Sequence, residues 1–257
     1  MESKSFSIEP LLLCATPIFT YAGVSLLTNA TGFFFQRGSE LFLVSSRHVF
    51  FDYKEGHFPD RIQVMFHIDS SNVARSIDYS IPLYNNGMSE WITGSDASGN
   101  IDVAAIRIDK KALPPDAIYT AFTPDSLLSD QETIEIGTSM LIVGFPLGFY
   151  DTLHKLPVVR YAINASSFAM RFQGNGYFLT DARTHRGSSG APVVCRVSDS
   201  ARKDMPWILL GVHSGRFDVS GRDTEIDEAL GLNCAWFADI LLKLTESSLS
   251  QKEMLES

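Results

Sequence analysis

Short apolar or alternating runs recur along this chain, and glycine, proline or polar turn residues separate them. Runs of about four to seven residues match the usual length of β-strands, whereas helices of a packed core usually exceed ten residues. Many such runs between turn signals are typical of an all-β barrel or sandwich. The predicted strands cover residues 62–68, 103–108, 140–143, 158–163, 177–180, 191–196 and 208–213.

The order of these runs predicts two β-barrels in series, joined by a polar connector. We predict the N-terminal barrel over residues 1–115, the connector over 116–136, where strand signals are few, and the C-terminal barrel over 137–234. Residues 235–257 are predicted to form a C-terminal α-helix and tail, because apolar residues recur at helical spacing from Trp236 to Leu244. We expect this helix to pack on the second barrel.

A serine flanked by glycines precedes the apolar run that begins near residue 192, in the sequence Gly187-Ser188-Ser189-Gly190. A serine nucleophile needs a tight turn that presents its hydroxyl, and backbone N–H groups that point at a developing oxyanion. Glycine lets the chain turn there without a steric penalty. The turn of an ordinary β-hairpin has similar local sequence, so this motif alone leaves both interpretations open.

A histidine and an aspartate lie beside two upstream strands. The apolar run 41–44 is predicted to be the second strand of a hairpin that ends in His48. Asp102 comes immediately before the apolar run 103–108, where a carboxylate is costly to bury unless it accepts hydrogen bonds. A base, an orienting acid and a nucleophile thus occur in the order His48, Asp102 and Ser189, the chain order of one version of the catalytic triad.

Together these segments resemble the chymotrypsin-fold (trypsin-like) serine peptidases, in the bacterial branch without disulfides. The motif style is similar to that of the HtrA-type and V8-type (glutamyl endopeptidase) groups. The resemblance implies two six-stranded antiparallel β-barrels and serine endopeptidase activity. It covers most of residues 20–240 and is carried by the segments 43–49, 102–106, 141–148, 180–192 and 210–215.

The resemblance also assigns roles to the predicted catalytic residues. It places the nucleophile at Ser189 and not at the adjacent Ser188, with His48 as general base and Asp102 as the residue that orients the imidazole. The backbone N–H groups of Gly187 and Ser189 would form the oxyanion hole. An extended peptide is expected to bind in the cleft between the barrels.

A substrate pocket is implied around the segment 211–216. Glutamate-preferring relatives carry a histidine at the position of His213 and a threonine or serine at that of Thr184. Ser214 is expected to support the triad aspartate at the wall of the pocket, and Arg216 to add positive charge that suits a carboxylate. We therefore predict a preference for glutamate before the scissile bond, with glutamine as the alternative. His213 could equally be an ordinary buried strand residue, and Arg216 a solvated one.

Histidine and cysteine spacing gives no sign of a metal site. None of the six histidines forms a zinc-type pair with another histidine or with Cys14, Cys195 or Cys234. We therefore expect no metal and no cofactor. Three scattered cysteines are also too few for a disulfide framework and suit a reducing compartment.

The composition bounds partners and location. A net charge of −9 disfavours nucleic acid as a partner. No apolar run is long enough for a membrane helix, and the start of the chain does not look like a secretory signal. We predict a cytoplasmic, bacterial protein that acts on peptides or proteins and contacts neither nucleic acid nor membrane.

Two other functions remain open from the sequence. The first is a catalytically silent or latent peptide-binding module that needs an activating protein partner; a Gly187 N–H turned away from the site would fit that state. The second is an esterase that acts on small acyl substrates, because the triad chemistry is the same.

Overall fold

Antiparallel β-strands make up most of the described chain. The computed structural model describes residues 8–129, 132–197, 205–216 and 231–246. The strands are β1 Ala15–Ala22, β2 Ser25–Arg37, β3 Glu40–Ser45, β4 Arg61–His67, β5 Ser76–Pro82, β6 Tyr84–Asn85, β7 Met88–Ser89, β8 Trp91–Asp96, β9 Gly99–Ile108, β10 Ser139–Gly144, β11 Val158–Asn164, β12 Tyr177–Asp181, β13 Pro192–Arg196, β14 Trp207–Arg216 and β15 Leu232–Phe237. The helices are α1 Arg47–Phe50 and α2 Ile240–Leu244, with 3₁₀ turns at Pro10–Leu13, Pro124–Ser126, Pro146–Gly148 and Phe172–Gly174.

The N-terminal unit is a seven-stranded antiparallel sheet in the order β5-β4-β1-β2-β3-β9-β8. The prediction of six strands was therefore one short. β5 and β8 lie at the two opposite edges of the sheet. Pro82 ends β5, and the β6–β7 hairpin turns at Asn86 and Gly87, which both have positive φ, as tight hairpin turns require.

The C-terminal unit is a closed barrel of six strands, β10-β11-β12-β15-β14-β13, as predicted. Every neighbouring pair in it is antiparallel. Its interior is filled by buried side chains that include Met140, Phe178 and Leu210. Closure leaves the barrel without free edges, which gives the turns at its rim a rigid base.

A shared apolar core joins the two units. It contains Phe33 and Phe35 from β2, Val143 from β10, and Leu209 and Val212 from β14, all with at most 1% of their surface exposed. The connector also pairs with both units, because Phe122 exchanges backbone hydrogen bonds with β2 and Leu127 forms a bridge to β14. The turns that face the seam between the units are therefore held from both sides. The division at residues 115, 136 and 234 remains a prediction.

The predicted C-terminal helix was wrong in extent, because only residues Ile240–Leu244 are helical in the described part of that segment. Residues 235–237 belong to β15, which fills the gap between β12 and β14 and so overrides the helical spacing of the sequence. The helix is limited to α2, whose Leu244 and Ile240 lie beside Gly94 of β8 in the first unit, while Leu241 and Leu244 belong to the apolar core shared with the second barrel. Residues 247–257 of the predicted tail lie outside the described residues. Within the described part, no helix has the length and apolarity to span a membrane.

Candidate active site

His48 lies on the short helix α1, one turn after β3 ends. The sequence analysis placed it at the end of a strand, and this was wrong: β3 stops at Ser45, and Ser46 begins a single helical turn. The Ser46 hydroxyl does not cap this turn but donates to the backbone oxygen of His213 at 3.2 Å. The first unit is thereby attached to the second within two residues of His48.

Asp102 faces His48 across the end of the sheet. β9 pairs with β3 up to Ser45 and Ala104, so Asp102 extends just beyond the last paired residues, where the chain turns into α1. The imidazole Nδ1 of His48 lies 2.7 Å from Oδ2 of Asp102, and the backbone N–H of His48 donates to Oδ1 at 2.9 Å. Ser214 donates its hydroxyl to Oδ2 at 2.6 Å. The carboxylate is thus held by three donors from two elements.

These contacts shift both titrating groups toward an ion pair. Burial lowers the pKa of His48, but the hydrogen bond and negative charge of Asp102 outweigh it, so the pKa lies above its ordinary value of 6.5. Burial raises the pKa of Asp102, whereas its bonds with His48 and Ser214 lower it further, to below the ordinary value. Asp102 therefore stays ionised and can stabilise a protonated His48.

Ser189 lies on a turn formed by residues 185–190. Two glycines, Gly187 and Gly190, allow the backbone to adopt this turn. Gly187 has φ +90° and Gly190 has φ +85°, values that favour glycine. A Cβ on Gly187 would come within 2.6 Å of the backbone oxygen of Phe145, and one on Gly190 would overlap Ser45. Both glycines are required because the chain approaches its neighbours too closely for a side chain.

The backbone hydrogen bonds of the 185–190 turn leave two N–H groups unused. Ser188 N donates to His185 O at 3.1 Å, and Gly190 N donates to His213 O at 2.7 Å. Gly187 N and Ser189 N donate to none of the described residues. Two unpaired N–H groups in the same turn as one serine, at the buried Gly187 and the half-buried Ser189, indicate a site for an oxygen acceptor.

The direction of the Gly187 N–H follows from the preceding carbonyl. Arg186 O accepts a hydrogen bond from Leu147 N at 2.6 Å, on the side of the 3₁₀ turn Pro146–Gly148. In a trans peptide the N–H points away from the C=O, so the Gly187 N–H faces away from Leu147. A positive φ at the third residue of a turn closed by the His185–Ser188 bond is the type II arrangement.

One carbonyl oxygen brings the histidine and serine segments together. His213 O accepts hydrogen bonds from Ser46, two residues before His48, and from Gly190, one residue after Ser189. The Ser189 hydroxyl forms no hydrogen bond with the described residues, so it is not bonded to the imidazole of His48 in this conformation, although both segments bond to His213 O. Such bonds are often loose without substrate and tighten on binding.

The predicted pocket residues His213 and Thr184 are both buried on the second barrel. His213 is 2% exposed, and burial together with the charge of His48 lowers its pKa to about 4, so it is neutral near pH 7. Its Nδ1 has no partner among the described residues. Thr184 donates its hydroxyl to Oδ1 of Asn233 at 2.6 Å. Asn233 lies two residues before Ala235 on β15, and Ala235 pairs directly with His213. The side chains of His213, Thr184 and Asn233 therefore lie near one face of β15.

Not every predicted pocket residue can be placed there. Ser214 contacts Asp102, as the resemblance implied, and Arg216 ends β14 with its side chain outside the described part of the structure. The sequence analysis missed Asn233, because an asparagine before a cysteine carries no local signal of its contact with Thr184. Within the described residues, no cluster of three or more His, Cys, Asp or Glu could hold a metal ion.

Comparison with known proteins assigns the family. A family model described as trypsin-like peptidase domain matches residues 30–198, well over half of the chain. The chain belongs to the trypsin-like peptidase family. The predicted resemblance to chymotrypsin-fold, trypsin-like serine peptidases is thereby confirmed.

The fold of this trypsin-like peptidase domain is also similar to that of a solved structure, the serine endoprotease from Yersinia pestis. The TM-score is 0.51 at 18% sequence identity, and the match covers 91% of this chain and 62% of that chain. The predicted all-β, two-unit fold class is confirmed by this likeness. The trypsin-like peptidase domain thus spans less than two thirds of that structure. None of the curated sequences compared with it is similar.

Proposed function

We propose that this trypsin-like peptidase domain is a serine endopeptidase whose nucleophile is Ser189. His48 accepts the proton of Ser189 during attack on the peptide carbonyl and then protonates the leaving amine. Asp102 keeps the proton of the neutral imidazole on Nδ1 and stabilises the imidazolium that forms. The N–H groups of Gly187 and Ser189 receive the negative oxygen of the tetrahedral intermediate.

The observation that carries this proposal is the pair of unused N–H groups in the 185–190 turn. Gly187 is buried and Ser189 is half-buried, and a donor that is buried without a partner costs about 1–3 kcal/mol. An oxyanion that receives both would recover this cost only as the reaction proceeds. The turn therefore suits a changing substrate better than a static ligand.

The same turn favours an active enzyme over a latent one. In a latent arrangement we expected the Gly187 N–H to be turned away from the site. With Arg186 O bonded to Leu147 N, that N–H points in the opposite direction from Leu147, and the rotated arrangement would lose this bond. This bond supports a turn that forms without a protein partner.

For the residue before the scissile bond we propose glutamate, with glutamine as the second candidate. The neutral His213 can donate one hydrogen bond to the side chain of either residue. One contact favours glutamine. Asn233 donates its Nδ2 to the backbone oxygens of Ala182 and Gly231, so its Oδ1 must accept from Thr184. The Thr184 hydroxyl can then only accept from a substrate, and an amide can donate where a carboxylate cannot.

A cleavage assay on a proteome-derived peptide library tests both statements, with Ser189→Ala as control. We expect cleavage by the natural protein alone, with Glu or Gln enriched before the cleaved bond. A preference for basic or aromatic residues would contradict the pocket, whereas no cleavage by either form would contradict the peptidase. Hydrolysis of small esters without peptides would favour the esterase.

The Thr184→Val variant separates the two candidate residues. It removes the acceptor that only glutamine can use, so the ratio of glutamine to glutamate cleavage should fall several-fold. An unchanged ratio would remove Thr184 from the pocket. Location in a bacterial cytoplasm, protein substrates, and the absence of nucleic-acid and membrane contacts remain proposals from the sequence.

A further inference from the structure

We propose that Thr31, on β2 of the first unit, is a positioning residue that holds the 185–190 turn of the second unit in its catalytic conformation. The inference rests on the proposed function, because it concerns the oxyanion hole of that reaction. Thr31 lies at a position far from the turn in sequence and belongs to the opposite β unit.

Four hydrogen bonds connect Thr31 to its surroundings. Its Oγ1 donates to Gly187 O at 2.7 Å and accepts from Phe145 N at 3.0 Å. Its backbone N donates to Ser189 O at 3.0 Å, and its backbone oxygen accepts from the hydroxyl of Ser45 at 2.7 Å. Thr31 is 0% exposed, so water does not compete for these groups.

The bonds to Gly187 and Ser189 determine the direction of the Ser189 N–H. The peptide planes 187–188 and 189–190 flank the plane that carries this N–H, and Thr31 holds the carbonyl of each. Ser188 O, in the plane between them, accepts from Ala191 N at 3.0 Å. Three successive planes are therefore fixed, and the Ser189 N–H has no freedom to rotate away.

The remaining oxyanion donor is reached through Phe145. Thr31 accepts from Phe145 N, two residues before Leu147, whose N–H holds Arg186 O and thereby sets the direction of the Gly187 N–H. Thr31 is thus bonded on one side to the 185–190 turn and on the other to the segment that orients it. Neither oxyanion donor belongs to Thr31, so its effect on catalysis is indirect.

The chain offers a matched control in Thr16, on the neighbouring strand β1. Thr16 is 1% exposed, and its Oγ1 donates to Met65 O at 2.9 Å and accepts from Met65 N at 3.0 Å. It therefore makes the same pair of side-chain bonds as Thr31 but joins β1 to β4 inside the first unit. Replacement of either threonine by valine keeps the shape and leaves one buried donor and one buried acceptor unpaired.

The test compares Thr31→Val, Thr31→Ser and Thr16→Val in steady-state hydrolysis of a peptide that the natural protein cleaves. Complete loss of one oxyanion donor lowers kcat about 10²–10³-fold in such enzymes. Thr31→Val misplaces donors without removing them, so we expect kcat to fall about 10–100-fold, with KM changed less than about threefold. Thr31→Ser keeps the hydroxyl and should stay within about threefold of the natural protein.

Thermal unfolding separates positioning from general destabilisation. Thr31→Val and Thr16→Val should lower the Tm by similar amounts, whereas only Thr31→Val should lower kcat. Equal kcat values for the two variants, or a loss in Thr31→Val that lies wholly in KM, would overturn the inference. If the natural protein cleaves no peptide, the proposed function fails, but the crystal structure of Thr31→Val still tests the positioning. The inference is overturned if Gly187 keeps its positive φ in that structure and both N–H directions are unchanged. A rotated 185–190 turn supports the inference.

Discussion

Replacement of Asp102 by asparagine is predicted to remove the general base without removing any side chain from the site. The carboxylate accepts from His48 N at Oδ1 and from His48 Nδ1 and Ser214 at Oδ2. An asparagine must place its NH₂ at one of these two positions. At the Oδ1 position the NH₂ would meet the backbone N–H of His48, a donor that cannot reverse.

The NH₂ is therefore expected at the Oδ2 position, where the Ser214 hydroxyl can turn to accept. His48 Nδ1 must then also accept, which moves the imidazole proton to Nε2, the atom that has to receive the proton of Ser189. The same change in a well-studied triad lowers kcat about 10⁴-fold. At about 1.36 kcal/mol per factor of ten, this corresponds to about 5.4 kcal/mol of lost transition-state stabilisation.

The assay is kcat for peptide hydrolysis by Asp102→Asn, with Asp52→Asn as control. Asp52 also raises the pKa of His48 by its charge, but its carboxylate accepts from Lys54 N and does not touch the imidazole. We expect Asp52→Asn to stay within about threefold of the natural protein. An Asp102→Asn variant that retains a tenth or more of kcat would refute the tautomer argument.

Three further predictions concern pH, a glycine and the helix packing. The rate constant kcat/KM should rise with pH through the pKa of His48, because only the neutral imidazole accepts a proton. The midpoint should lie above 6.5, since Asp102 raises that pKa. A midpoint below 6.5 in a pH–rate profile would contradict the ion pair. Gly190→Ala should abolish activity and destabilise the fold, because its Cβ would overlap Ser45 and Thr31 O at a φ of +85°; normal turnover would show that the turn can adapt. Leu241→Ala should lower the free energy of unfolding by about 2–5 kcal/mol in urea titrations, because the side chain is 0% exposed in the shared core. A loss below about 1 kcal/mol would contradict the packing of α2 in that core.

The sequence was informative where a residue and its local setting carry the function together. The order of His48, Asp102 and Ser189 predicted a triad, and the structure brings His48 and Asp102 into hydrogen-bond contact. The glycines beside the serine predicted a tight turn, and both have positive φ. Short apolar runs predicted an all-β protein, because strand length and spacing depend on the local pattern. The second barrel has the six strands expected for it.

Contacts between distant segments could not be predicted from the local sequence. Residues 235–237 follow a helical spacing, yet β12 and β14 need a strand between them, so tertiary pairing decides. Thr31 and Asn233 bond to residues 156 and 49 positions away, and nothing beside them in the sequence indicates those partners.

The most direct test of the central claim is to identify the residue labelled by a fluorophosphonate probe, by mass spectrometry of the digested protein. An activated serine reacts with such probes and ordinary serines do not. The account predicts one adduct on Ser189, lost in His48→Ala and in Ser189→Ala but kept in Ser188→Ala. An adduct on Ser188, or peptide hydrolysis that continues in Ser189→Ala with no labelled serine, would contradict it.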